Sequence, residues 1–190
     1  MVDSETRWAM VRRLRQKPAP QAKAVLIREV ESGDLPAIKD IYNYFIRNTA
    51  ITFDDAPLKL AYWQDKYDMA KKFELPFLVL VRGSEVIGFA EVSPWRQKSG
   101  YLLVVENSIY LSAPATGKGH GSQLLEALLD SCKAKDIKEV IAVIADRGAQ
   151  ASIALHEKFG FVQQGHLANV AVRFGKPIGS HMLSLKMTNH

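Results

Sequence analysis

Cysteine is nearly absent: Cys132 stands alone among 190 residues. A lone thiol closes no disulfide within the chain and builds no cysteine-rich zinc site, and it sits most easily in a reducing compartment, so a cytoplasmic location is expected. Long hydrophobic runs are lacking as well. The apolar stretches are strand-sized, Phe77 to Val81 among them, far below the ~18 residues of a membrane helix. There is no internal repeat or low-complexity segment. His166, His181 and His190 have no metal-ligand spacing to an acidic or cysteine partner, so no metal site is expected. What remains, 47% hydrophobic and 24% charged residues, is the composition of one soluble domain able to bury a real core.

The formal net charge of +5 is unevenly spread. Residues 1–23 hold Arg7, Arg12, Arg13, Arg15, Lys17 and Lys23 against Asp3 and Glu5, a local +4 that leaves the rest close to neutral. Pro18 and Pro20 oppose a continuous helix there. Residues 1–23 are therefore expected as a loosely ordered basic extension and 24–190 as one domain. An electrostatic contact of the extension with RNA, anionic lipid or an acidic protein is one alternative, and an organelle-targeting role, suggested by the arginines and opposed by Asp3 and Glu5, is another. Neither a nucleic acid nor a membrane is required by the rest of the chain.

From Ala24 the pattern alternates strand and helix, an α/β arrangement without a dividing linker. Ala24 to Val30 reads as a strand. Asp34 is placed to cap a helix with Pro36 in its first turn, and Leu35, Ile38, Ile41, Tyr42 and Phe45 give helical spacing to about Arg47. A loop from Asn48 to Pro57 and a less regular helix over 58–70 follow. Phe77 to Val81 and Val86 to Val92 read as a hairpin around Gly83 and Ser84, and Leu102 to Leu111 as a strand interrupted by Glu106 and Asn107. Leu124, Leu125, Leu128 and Leu129 share a helical face. A strand over Val140 to Ile144, a helix over Ala149 to Lys158, a strand start at Phe159 to Phe161 and a final strand at Met182 to Met187 complete the pattern.

Two features carry chemistry. Thr116-Gly117-Lys118-Gly119-His120-Gly121-Ser122 lies between a strand and an amphipathic helix, where backbone amides can converge on an anion and glycine permits close approach. The glycines fit neither the GxGxxG nor the GK[ST] nucleotide pattern, and a flexible turn is the plain alternative. Glu106 is a carboxylate in a strand expected to be buried on both sides, costly unless it works or is paired with an arginine.

The loop, read as Thr116-x-x-Gly119-x-Gly121, resembles the pyrophosphate loop [QR]-x-x-G-x-[GA] of the GNAT superfamily, with Thr116 in place of Gln or Arg. Ser152-Ile153-Ala154-Leu155-His156-Glu157-Lys158-Phe159-Gly160-Phe161 is similar to that superfamily's second landmark. Ile41-Tyr42-Asn43, Asn48-Thr49-Ala50, Val105 to Tyr110 and Arg173-Phe174-Gly175-Lys176 resemble its phosphinothricin and methionine sulfoximine acetyltransferase group. The resemblance spans about Val25 to Met187. It departs at Ala149, where many members carry Asn, and at Pro177-Ile178-Gly179-Ser180.

The resemblance implies a mixed, mostly antiparallel twisted sheet of six to seven strands, flanked by about four helices, with splayed central strands holding acetyl-CoA. It implies transfer of the acetyl group to the amine of a small amino-acid-like acceptor, in a protein that is often a homodimer. Glu106 is then the candidate base, because an ammonium cannot attack a thioester. The amides of Ile109, Tyr110 and Leu111 hold the thioester and pantetheine, while the 116–122 loop and Ser152 complete the cofactor site. His156 stands where many members place a tyrosine near the thiolate, as a proton donor or as packing. For an acceptor carboxylate, Arg96 is the first candidate and Arg173 the second. Phe53, Trp95 and Tyr101 are expected as walls, and Asn48 and Thr49 as polar contacts. A peptide or protein N-acetyltransferase with an open groove, or a non-catalytic acyl-CoA binder, are the alternatives. On the small-molecule reading, the Asn48 to Pro57 and Pro94 to Gly100 loops close that groove.

Overall fold

The structure, a computed structural model, describes residues 24–187. The expected basic extension lies outside the described residues. Seven strands form one sheet in the order β1-β2-β3-β4-β5-β7-β6. They are β1 (Val25–Glu29), β2 (Phe77–Arg82), β3 (Glu85–Pro94), β4 (Val104–Leu111), β5 (Glu139–Ala145), β6 (Val162–Arg173) and β7 (Lys176–Lys186). Among the described residues four α-helices flank it: α1 (Leu35–Asn48), α2 (Leu60–Lys72), α3 (His120–Ala134) and α4 (Gln150–Lys158). Among the described residues, no helix is long and apolar enough to cross a membrane.

Period-two alternation in the sheet sets up two cores. Phe77, Val79 and Val81 of β2 and Phe89 of β3 pack against Leu35, Ile38 and Ile41 of α1 and Trp63 of α2. Leu78 and Leu80, Ala90 and Val92, and Val105 face the other way, onto Leu124, Leu125, Leu128 and Leu129 of α3. Each fully buried leucine in this second core contributes about 1.5–3 kcal/mol relative to exposure. Cys132 is buried here, and desolvation pushes its thiol up to about 12.

Local differences from the sequence reading have simple causes. Asp34 does not cap α1 with its side chain. Its carboxylate accepts two hydrogen bonds from Arg28, at 2.7 and 2.9 Å, and one from the Glu31 N–H at 2.8 Å, closing a short turn ahead of the helix. The second helix starts two residues later than expected because Leu58 is held in the loop. Its N–H and C=O pair with the carboxamide of the buried Asn43 on α1, at 2.8 and 2.9 Å. β6 and β7 are joined by Phe174 and Gly175, both at positive φ (48° and 72°), which suits a two-residue turn between twisted strands.

One feature of the sheet positions the site. β4 and β5 are parallel, and they pair only from Val104↔Glu139 to Asn107↔Ala142. Beyond that point β4 stays with β3 as far as Leu111, and β5 stays with β7 as far as Ala145. The strands splay, and the facing backbone edges of residues 108–111 and 143–145 have no partner in the other strand.

Candidate active site

A cleft of about 370 Å³ opens where β4 and β5 part. Ile109, Tyr110 and Leu111 form one wall and Ala142, Val143 and Ile144 the other. Thr116, Gly117, Gly119, Gly121 and Ser122 close one end, and Ser152 and His156 of α4 border it. Gly117 and Gly119 sit at φ 71° and 80°, in the left-handed region, with open space where a side chain would stand. Gly119 immediately precedes α3, so the loop turns its amides toward a helix N-terminus. Lys118 and His120 point away from the cleft lining: Lys118 donates to the Pro114 carbonyl at 2.7 Å, and His120 pairs with Gln123 at 3.1 Å.

On the other face of β4 lies a cavity of about 990 Å³. Ser108 and Tyr110 border both spaces, so the two meet across this strand. The larger cavity holds Glu106, with Arg96 and Tyr101 from the segment after β3. Among the described residues Glu106 makes no hydrogen bond or ion pair. Burial raises its carboxyl above the ordinary range and the nearby Glu91 carboxylate adds to this, against the pull of Lys66 and Arg96. A carboxylate so placed holds a proton more readily than one in water, as a base for an ammonium must.

Sequence reasoning missed the charged pair beside it. Glu91 of β3 is 4% exposed and forms a close ion pair with Lys66 of α2, and both border the larger cavity. The available signal was Glu91 itself, an acid inside an otherwise apolar strand. Tyr42, Tyr62 and Trp63 add an aromatic wall, with Tyr42 edge-on to Tyr110 at 4.9 Å and to Trp63 at 5.3 Å.

His156 is 2% exposed and both its ring nitrogens are engaged. Nδ1 lies 2.7 Å from the Ser152 carbonyl, which can only accept, so Nδ1 carries the proton. Nε2, at 2.9 Å, then accepts from the Asn107 amide. Burial lowers the histidine's pKa and the Ser152 contact opposes it only in part, which keeps the ring neutral. In this arrangement it has no free proton to give a thiolate. It holds Asn107, whose buried Oδ1 is unpartnered and belongs to a side chain bordering the cleft.

Five expected acceptor residues border neither space. Asn48 donates to Tyr44 O and Thr49 to Phe45 O, finishing α1. Phe53 is exposed, and Trp95 carries Arg96 over its ring at 4.3 Å. Arg173 is 4% exposed and donates to the carbonyls of Ile46 and Thr49, so its guanidinium ties the β6–β7 hairpin to the end of α1 and is not free for a substrate carboxylate. Of the two loops expected to close the groove, only the one after β3 borders the larger cavity.

A splayed β4–β5 pair above a glycine-led helix agrees with a sequence match over residues 38–161 to the acetyltransferase (GNAT) family. The chain belongs to that family. It is 34% identical over 162 residues to an L-methionine sulfoximine/L-methionine sulfone acetyltransferase of Pseudomonas aeruginosa, covering 85% of this chain and 94% of that protein. It is 32% identical over 160 residues to a phosphinothricin N-acetyltransferase of Alcaligenes faecalis, covering 84% and 81%. A GNAT superfamily phosphinothricin acetyltransferase from Sinorhizobium meliloti, solved in complex with acetyl-CoA, superposes with a TM-score of 0.81 at 32% identity, covering 86% of this chain and 88% of that one. The expected mixed sheet with four flanking helices is thus the GNAT fold, and the protein is an acetyltransferase.

Proposed function

We propose that this acetyltransferase moves an acetyl group from acetyl-CoA to the amine of a small amino-acid-like acceptor of the phosphinothricin or methionine sulfoximine type. The observation that carries this is the meeting of two spaces across β4, with Glu106 on one side and the glycine-rich helix start on the other. The cofactor-side residues fit acetyl-CoA. Unpaired strand edges suit the pantetheine amides, the amides around Gly117 and Gly119 suit a pyrophosphate, and the unpartnered Asn107 Oδ1 accepts a hydrogen bond from the pantetheine arm.

The acceptor enters as an ammonium. Glu106 takes one of its protons, directly or through water, and the freed lone pair attacks the thioester carbonyl. As the nitrogen–carbon bond forms, the β4 amides at Ile109 to Leu111 steady the carbonyl oxygen. The carbon–sulfur bond then breaks and the nitrogen's second proton goes to sulfur, giving the amide and free thiol. Arg96 at the cavity mouth takes the acceptor's carboxylate, and Tyr101 forms part of the wall. The role left to His156 is to hold Asn107.

Part of the same proposal is a cytoplasmic homodimer. The buried free thiol fits a reducing compartment, and the outer strand β6 leaves Leu167, Val170 and Val172 48–64% exposed for a second copy.

The test is thiol release from acetyl-CoA with phosphinothricin, methionine sulfoximine, ordinary amino acids and short peptides as acceptors. Saturable turnover confined to the amino-acid-like compounds is expected. Glu106→Gln is expected to lower kcat by at least 100-fold with the Kd for CoA within about twofold, a general-base loss of the usual size. Full activity in that variant removes Glu106 from the mechanism, and turnover only with peptides replaces the acceptor class.

A further inference from the structure

We infer that Lys66 is a positioning residue for acetyl transfer: by holding Glu91 in a buried ion pair, it leaves Glu106, among the described residues, as the carboxylate in the cavity free to receive the acceptor's ammonium. The inference rests on the reading of Glu106 as the base.

The geometry starts with the β3–β4 register. Glu91 lies opposite Ser108, and Ser93 lies opposite Glu106. Glu91 and Glu106 therefore share a face as diagonal neighbours across the pair, on the order of 7–8 Å apart with the Cβ atoms somewhat closer. Two carboxylates this close in a largely apolar cavity compete for any cation that enters, and an acceptor ammonium drawn to Glu91 would be held away from the β4 edge where the thioester lies. Lys66 projects from α2 onto this spot. Its side chain is 19% exposed and that of Glu91 5%.

A pair this well buried is costly in desolvation, and a hydrophobic pair would fill the same space at no loss of stability. What the pair does here is act on its neighbour. Burial pulls the Lys66 ammonium toward deprotonation, but the attraction of Glu91, Tyr62 and Glu106 outweighs that and keeps it charged. The charged groups facing Glu106 are Glu91 from β3, Lys66 from α2 and Arg96 from the segment after β3, with the phenol of Tyr110 on its own strand. Tyr42 of α1 joins that phenol at the cavity wall and donates to Asp54 at 2.5 Å. Lys98 borders the cavity near Arg96. Glu74 and Lys135, which also border it, lie 3.6 Å from each other. With Lys66 matched to Glu91, the charges left for a zwitterionic acceptor are Glu106 for its ammonium and the Arg96 side for its carboxylate.

The experiment titrates Glu106 directly, by carboxyl-carbon NMR of protein labelled at glutamate and assigned with Glu106→Gln, in wild type, Lys66→Met, Glu91→Gln and the double variant. Alongside it, kcat/KM against pH is measured with acetyl-CoA and L-methionine sulfoximine. In Lys66→Met the Glu106 midpoint is expected to rise by about one pH unit, the size of one unscreened neighbour at this spacing. In Glu91→Gln it falls by about as much, because Lys66 turns wholly to Glu106. In the double variant it returns close to wild type. The acid limb of kcat/KM moves with each. Should Lys66→Met fail to fold, the Glu91→Gln and double variants carry the same test. A Glu106 midpoint that stays put in all variants overturns the inference while leaving Glu106 as base. Midpoints that move while the kinetic limb does not overturn the base reading instead.

Discussion

Arg173→Met separates the acceptor role expected of this residue from sequence and the structural role it has in the fold. The guanidinium donates to the carbonyls of Ile46 and Thr49, the latter at a long 3.4 Å. Hydrogen bonds from a charged donor contribute about 1.5–3 kcal/mol each, so one good bond and one weak one amount to about 3 kcal/mol. Methionine has similar length and leaves little cavity. It also relieves a buried charge whose Nε has no partner, which returns about 1 kcal/mol. The net loss is about 2 kcal/mol, or a fall in Tm of about 4–8 °C for a domain of this size. Thermal melting followed by circular dichroism reads this directly. Kinetics taken well below the transition should show acceptor KM within about twofold of wild type, because Arg173 borders neither cavity. An unchanged Tm with a tenfold higher acceptor KM would refute the reasoning and return Arg173 to the acceptor site.

Two further outcomes follow from the same structure. Gly119→Val places a β-branched side chain at φ 80°, strain of about 1–2 kcal/mol that the loop relieves by turning its amides, so KM for acetyl-CoA should rise about tenfold with acceptor KM unchanged; a normal acetyl-CoA KM would show that these amides do not hold the cofactor. His156 binds fewer protons folded than unfolded, so its contribution to stability is whole above its unfolded pKa of about 6.5 and is lost as pH falls from there toward its depressed folded value. Glu106, with its raised folded pKa, slopes the opposite way. Urea midpoints of wild type and His156→Gln should therefore converge as pH drops below about 6.5, and a constant gap would mean that the histidine titrates alike in the folded and unfolded chain.

The sequence made legible what repeats along one element. Leu124, Leu125, Leu128 and Leu129 specified α3, the Gly83-Ser84 turn specified the β2–β3 hairpin, and the glycine loop lies directly ahead of α3 as expected. Glu106 stood out because an acid in an apolar strand is expensive, and the same argument applied to Glu91 would have singled it out too. Less legible was β6, whose residues Val162 to Arg173 lie mostly exposed at the sheet edge and so lack the apolar alternation of a half-buried strand. Roles set by distant partners were not legible at all. Nothing near Arg173 in the sequence announces the carbonyls of Ile46 and Thr49, and nothing near His156 announces Asn107, 49 residues away.

The strand β4 explains why these separate parts make one site. Its alternation sends Glu106, Ser108 and Tyr110 toward the larger cavity, and Asn107, Ile109 and Leu111 toward the second core and the smaller cleft. Its antiparallel bond to β3 keeps that alternation in register, and its early departure from β5 leaves one edge unpaired. A one-residue slip would exchange the faces, moving Glu106 into the apolar core and Asn107 into the acceptor space. The register is guarded by residues with no chemical role: Val105, packed beneath α3, and Phe89, stacked on Tyr110 at 5.5 Å, can satisfy their surroundings in only one alignment. Hydrophobic packing on the two faces of the sheet is therefore what places Glu106 and the unpaired edge of residues 108–111 on one strand between the two cavities.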